Sequence, residues 1–179
     1  IDDKIFDILY FVCRDITHIV IPSSIKRINS YAFNECKNLK KIEFLENSEL
    51  LSIDCFAFSN SSIENISIPD RVKQICEHSF SYCRSLKNVK FSKNSELKDI
   101  KNHAFFGSSI VKIKIPKNVK QIRKKAFSEC NNLKMVKFCE NSELYSIENE
   151  TFCLSSIECV LITKSVKKIG ENVFANCKN

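Results

Sequence analysis

Ten cysteines and three histidines are the residues with the most chemistry to offer in this chain of 179 residues. Four of the cysteines, Cys36, Cys83, Cys130 and Cys177, recur at a constant interval of 47 residues. Cys55, Cys76, Cys139, Cys153 and Cys159 follow no such rule, and no Cys-x-x-Cys pair exists to support a zinc or thioredoxin-type site. His18, His78 and His103 stand far apart, with no His-Glu-x-x-His motif to gather them. The two glycines, Gly107 and Gly170, are too few for a phosphate-cradling loop. Acidic residues are scattered, and no pair is placed to face another across a cleft. The expectation is therefore no catalysis, no metal and no cofactor.

The elements that carry these residues are set by a repeat. Leu-x-x-(Ile/Val)-x-Phe-x-x-Asn begins at Leu39, Leu86 and Leu133, and Ile-x-x-Ile-x-Ile-Pro begins at Ile16, Ile63 and Ile110. Seven units follow: 16–38, 39–62, 63–85, 86–109, 110–132, 133–156 and 157–179, with half a unit in 1–15. Positions 4 and 6 of each unit are apolar and alternate with polar neighbours, as in Ile19/Ile21, Ile42/Phe44 and Ile66/Ile68. This is the period of a strand with one buried face. One such unit cannot bury its own apolar face, so neighbours must stack and share a core. The expected fold is a single-domain α/β repeat solenoid, rich in β. It has one parallel strand per unit of 23–24 residues, and short turns or helical turns on the convex side. Pro22, Pro69 and Pro116, at position 7, have no N–H for a sheet and end their strands.

Every unit also holds a phenylalanine: Phe33, Phe58, Phe80, Phe105, Phe127, Phe152 and Phe174. These rings are expected to form an interior ladder. Asn47, Asn94 and Asn141 follow the strand where the chain must turn inward, and their amides are expected to bond backbone groups left unpaired by that turn; the serine and glutamate after them read as turn residues. The periodic cysteines lie two coils apart, so their α-carbons are separated by roughly 9–10 Å. A disulfide needs less than about 7 Å, so free buried thiols acting as small apolar residues are expected. A bridge between Cys139 and Cys159 is not expected.

The Leu-x-x-Leu-x-Leu-x-x-Asn core resembles a leucine-rich repeat. The rest of the unit, as in the segment from Gln121 to Leu133 (Gln-Ile-Arg-Lys-Lys-Ala-Phe-Ser-Glu-Cys-Asn-Asn-Leu), is similar to the BspA-like repeats of bacterial and protist surface proteins. The resemblance covers residues 16–179 and the half unit before them. It implies a right-handed leucine-rich-repeat superhelix and a role in adhesion or in binding host proteins. Ile5, Tyr10 and Cys13 stand where Ile28, Phe33 and Cys36 stand a unit later.

Inward positions 4 and 6 leave positions 3 and 5 on an open face. Among these, His18, Lys41, Glu43, Asn65, Asn88, Lys90, Lys112, Lys114, Met135 and Lys137 are the candidate ligand-binding residues; Val20, Ser67, Cys159 and Leu161 complete the row. Lys90, Lys114 and Lys137 hold position 5 in three successive strands, with Lys112 beside them. Like charges on neighbouring strands repel, so stability alone does not favour this row. With a net charge of +7, the row has two readings: an anion-binding patch, or part of a generally lysine-rich surface. None of these fourteen positions is aromatic, so nucleic acid is not the expected ligand. A second basic group, Lys120, Arg123, Lys124 and Lys125, lies off this face and reads as a solvated turn.

No apolar run reaches 18 residues, so no membrane insertion is expected. Residues 1–10 carry Asp2, Asp3 and Asp7 and make a poor secretion signal. Sequons at Asn60, Asn65 and Asn149 are weak pointers to export. A strand near 160–162 with no polar cap after it leaves an open edge, so a longer array, a covering partner or end-to-end self-association is expected. The functional expectation is a cell-surface or extracellular recognition module for a protein or anionic matrix ligand; the alternative is a cytoplasmic protein–protein scaffold segment.

Overall fold

A computed structural model describes residues 7–10 and 14–178. The expectations for Ile5 and Cys13, and for Asn179 at the end of the last unit, lie outside the described residues. The described residues form fifteen strands, β1 to β15 in chain order. One set is long: β2 (His18–Ile21), β4 (Lys41–Phe44), β6 (Asn65–Ile68), β8 (Asn88–Phe91), β10 (Lys112–Ile115) and β12 (Met135–Phe138), closed by the shorter β14 (Cys159–Val160). The other set has two residues each: β1 (Ile8–Leu9), β3 (Arg27–Ile28), β5 (Ser52–Ile53), β7 (Gln74–Ile75), β9 (Asp99–Ile100), β11 (Gln121–Ile122), β13 (Ser146–Ile147) and β15 (Lys168–Ile169).

The long set makes a seven-stranded parallel sheet, here the front sheet, and the short set an eight-stranded parallel sheet. Each strand pairs with the strand one coil away, so the chain winds as one solenoid. The alternation read from the sequence holds: Ile66 and Ile68 are buried while Asn65 and Ser67 are exposed, and β10 repeats the pattern. The prolines follow the last residue of β2, β6 and β10. The second, short strand in each coil adds to the single strand expected from the pattern. Its buried residue is an isoleucine in six successive coils, from Ile28 to Ile147.

The turn side of the coil is where expectation and structure part: helical turns are absent from the described residues. Each coil there carries two residues in the left-handed region, such as Tyr31 (φ 62°) and Glu35 (φ 59°), or His78 (φ 54°) and Tyr82 (φ 56°). These φ values break a right-handed helix. The N–H groups then alternate. Those of Ala32, Asn34 and Cys36 bond within the coil to carbonyls three residues back. Those of Tyr31, Phe33 and Glu35 bond to Cys55, Ala57 and Ser59 in the next coil, at 3.2, 2.7 and 2.9 Å. The scheme repeats coil after coil and satisfies the turn backbone without a helix. Only Gly107 fills a left-handed position with glycine, and a Cβ there would lie 2.8 Å from the Tyr82 ring.

The core runs the length of the solenoid. The seven phenylalanines stack as expected, with centroid separations from 4.7 Å (Phe33–Phe58) to 5.6 Å (Phe152–Phe174) and near-parallel planes. The first six are fully buried; Phe174 in the last coil is 37% exposed, beside Leu161 at 82% and Ile169 at 54%. Among the described residues the side-chain amides of Asn47, Asn94 and Asn141 make no such bond, and all three are exposed. The serine one residue on does that work instead. The hydroxyls of Ser48, Ser95 and Ser142 accept the N–H groups of Leu50, Leu97 and Leu144 at 3.3, 3.3 and 3.2 Å. A hydroxyl one bond from Cβ reaches its own turn more closely than a longer amide does.

Removing one ring leaves a void that the neighbouring coils cannot close. Phe127→Ala is expected to cost roughly 3–5 kcal/mol in urea unfolding. Amide exchange should speed up in residues 105–152 while the first two coils keep their protection, because each coil touches only its neighbours.

Candidate binding face

The open side of the front sheet gathers the candidate residues in one row per coil. His18, Lys41, Asn65, Lys90, Lys112, Lys114, Met135 and Lys137 are exposed; Glu43 and Asn88 are half-buried. At the first two strands the charges are already spent on one another. Glu43 lies between Lys41 and His18, with His18 Nε2 3.6 Å from Glu43 Oε1. The Lys41 ammonium, by hydrogen bond and by charge, holds the Glu43 carboxyl below the usual range. In the next pair of strands Asn88 Nδ2 donates to Asn65 Oδ1 at 2.7 Å. These are polar, self-paired positions.

The four remaining lysines are different. Among the described residues no ion pair reaches Lys90, Lys112, Lys114 or Lys137. Lys114 and Lys137 face each other in register. Lys90 and Lys114 do not, because β8 and β10 pair only at Lys112↔Asn88. All four line a single cleft of about 580 Å³, floored by Val89, Phe91 and Ile113 and edged by Met135. The sequence places these lysines in a row; the structure brings them around one opening.

The second basic group is a contrast. Arg123 Nη1 bonds Glu148 Oε1 at 2.9 Å, and Lys125 Nζ lies 3.1 Å from Glu150, with Lys124 3.9 Å from the same carboxylate. These three cations are matched by acids one coil on; among the described residues Lys120, the fourth of the group, has no ion pair.

Cys55, Cys76, Cys83, Cys130, Cys139, Cys153, Cys159 and Cys177 are free thiols. Cys36, Cys83 and Cys130 are fully buried, yet they are more than small apolar residues. The thiols of Cys83, Cys130 and Cys177 donate to the carbonyls of Phe58, Phe105 and Phe152 at 3.0, 3.1 and 3.3 Å. Ser61 and Ser108 hydroxyls stand 3.5 and 3.4 Å from the first two sulfurs. Burial pushes Cys83 and Cys130 up to about 12, which removes the thiolate that reactivity requires. Cys139 and Cys159 remain separate, the first half-buried and the second exposed. Among the described residues no three His, Cys, Asp or Glu side chains come together as a metal site, and no helix is long and apolar enough to cross a membrane.

One constellation escaped the motif reading. Tyr31, Phe56, His78 and His103 stack in a second column outside the core, at 5.0, 4.6 and 4.5 Å. Each stands two residues before a core phenylalanine, and that shared offset is the signal by which the sequence shows them. Partial burial lowers the pKa of both histidines. For His103, stacked His78 and the nearby Lys125 and Lys124 add to the shift, while Glu150 opposes it; for His78, Glu77 opposes it.

The chain is thus a parallel-strand solenoid presenting an open, partly cationic sheet. The family described as BspA type Leucine rich repeat region, in six copies, matches residues 3–96 and 51–179. The chain belongs to this family of leucine-rich-repeat proteins. A leucine-rich repeat protein from Bacteroides ovatus is 28% identical with a TM-score of 0.71, over 90% of this chain and 47% of that one. A leucine rich cell surface protein from Faecalibacterium prausnitzii is 23% identical with a TM-score of 0.58, over 90% of this chain and 59% of that one. The chain therefore spans about half the length of the first and under two thirds of the second. No curated protein gives a match.

A histidine whose folded-state pKa is depressed binds its proton more readily in the unfolded chain. The contribution is complete above the ordinary value near 6.5 and is lost as pH falls through it towards the folded value. Urea midpoints should therefore drop between pH 7.5 and pH 5. The His78→Phe/His103→Phe double variant, which keeps the column stacked, should show a smaller drop over that interval.

Proposed function

We propose that this chain is a non-catalytic recognition module, a single domain that binds a protein or anionic extracellular ligand on the open face of its front sheet, as part of a cell-surface adhesin. The observation that carries this reading is the convergence of Lys90, Lys112, Lys114 and Lys137 on one cleft without an acidic partner. Unpaired, exposed ammonium groups over a low-dielectric floor concentrate positive potential. Met135 and the stems of the lysines supply apolar contact beside that charge. His18, Lys41, Glu43, Asn65 and Asn88 extend the same face as a polar, nearly neutral flank. The surface location draws on the family resemblance; the cell surface protein from Faecalibacterium prausnitzii shares the fold.

Poly-glutamate and immobilised heparin are suitable anionic probes. The wild-type chain is expected to bind at least one of them, with affinity that weakens as salt is raised. Changing Lys90, Lys112, Lys114 and Lys137 together to glutamate should abolish that binding while the circular dichroism spectrum is retained. Survival of all binding after the charge reversal would remove the basis of the proposal.

A further inference from the structure

The front sheet is not evenly laddered. β2 pairs with β4, β6 with β8, and β10 with β12 along four residues each. Between these doublets the pairing collapses to Lys41↔Asn65 and to Asn88↔Lys112, and β12 meets β14 only through Met135 and Val136. The sheet is therefore a set of two-strand ribbons that splay apart at every second junction.

Proline explains the first two openings at their far ends. Within a doublet, the N–H of Leu45 closes the ladder onto the Ile21 carbonyl at 3.2 Å. At the next junction the equivalent residue is Pro69, and two coils on it is Pro116; neither has an N–H to return to Phe44 or Phe91. At position 6, Phe44, Phe91 and Phe138 are only partly buried, while Ile21, Ile68 and Ile115 are fully so.

Each splay holds a cleft. The first cleft opens at the β4/β6 junction and extends to the end of β8; it is lined by Phe44, Ile68, Pro69 and Phe91, measures about 680 Å³, and shares Lys90 and Phe91 with the next cleft. The β8/β10 cleft is the lysine-ringed one of about 580 Å³. The β12/β14 cleft is lined by Met135, Phe138, Leu161 and Ile162 and measures about 780 Å³. Three openings with apolar floors thus recur two coils apart, roughly 9–10 Å at the spacing of parallel strands.

That pitch selects a ligand geometry. A polyproline II chain advances 3.1 Å per residue, so every third side chain falls about 9.3 Å from the last on one face. A β-strand repeats a face every two residues, at about 6.6–6.8 Å, and misses the clefts. An α-helix returns to a face after seven residues, about 10.5 Å, and drifts out of step. Polyproline II also leaves its peptide groups free, which suits carbonyls that face a proline. The lysines around the middle cleft set the charge of the partner. We propose that the front sheet docks an extended acidic segment of polypeptide in the polyproline II conformation, seating one apolar side chain in each splay cleft at every third residue. This rests on the anionic-ligand reading above and names its ligand class.

The test is fluorescence anisotropy with three labelled probes: a peptide of Leu-Pro-Glu repeats, a peptide of the same composition reordered so that no two leucines stand three residues apart, and a heparin hexasaccharide. The phased peptide is expected to bind at least tenfold tighter than the out-of-phase one. Ser67→Trp, an exposed site in the first cleft, should reduce that advantage at least fivefold. It should leave a shorter phased peptide with two leucines unaffected, since two clefts remain. Equal binding of the two peptides, or indifference of the long phased peptide to Ser67→Trp, would overturn the cleft proposal. Binding of heparin alone, abolished by reversing the four lysines, would also overturn it while leaving the anionic-ligand reading intact. Binding of no probe would overturn both.

Discussion

No coil of this protein has an interior of its own; every one is completed by the coil stacked upon it. The contact that enforces this is the column of phenylalanines, in which each ring covers the face of the next at close to 5 Å. The backbone matches the column with three parallel sets of inter-coil bonds: the two sheets and the alternating turn scheme on the third side. The buried thiols belong to the same system. A cysteine one coil beyond a core phenylalanine donates to its carbonyl, as Cys83 does to Phe58 and Cys130 to Phe105. A thiol there fills an apolar site and still gives a weak donor to a carbonyl that burial would otherwise penalise.

The stack fixes the distance between neighbouring coils at the core and along the turns. It does not fix how well the front strands zip, and there the sequence alternates. A unit that ends its strand with Ile-Pro buries the isoleucine but cannot bond backward to the coil before it. A unit that ends with Phe-x has the N–H but carries a ring too large to be wholly enclosed. The 47-residue period is thus a structural doublet, and its consequence is a front sheet with regular openings in an otherwise continuous surface. Function on such a surface follows from spacing as much as from residue type.

Much of this was legible in the chain. The parity of positions 4 and 6 against 3 and 5 told which side chains face the core, because a strand's period of two leaves no other choice once one face is buried. The phenylalanine column followed from one ring per unit, and the fate of the periodic cysteines from geometry alone. The turns were less legible. Tyr31, Glu35, Phe56 and Asn60 adopt left-handed φ without the glycine that normally marks it, so nothing in composition warned against a helical turn. The run from Asn47 to Leu50 marks a turn, but not that the serine's shorter side chain, rather than the asparagine's, makes the bond. The lysines were legible as a row and not as a ring, since their convergence depends on how far β8 and β10 part.

The character of the row can be judged within the molecule. The coil that carries Lys112 and Lys114 on the front also carries Arg123, Lys124 and Lys125 on a turn. On the turn, each of these cations has an acid within 4.0 Å, drawn from the following coil. On the front of that coil and of the next no acid is supplied, although position 5 of the unit beginning at Leu39 holds Glu43 and shows that a carboxylate fits there. Direct opposition of Lys114 and Lys137 in full register raises the cost of leaving it so. An anion in the cleft would offset that cost, and this is the physical argument behind the proposed binding face.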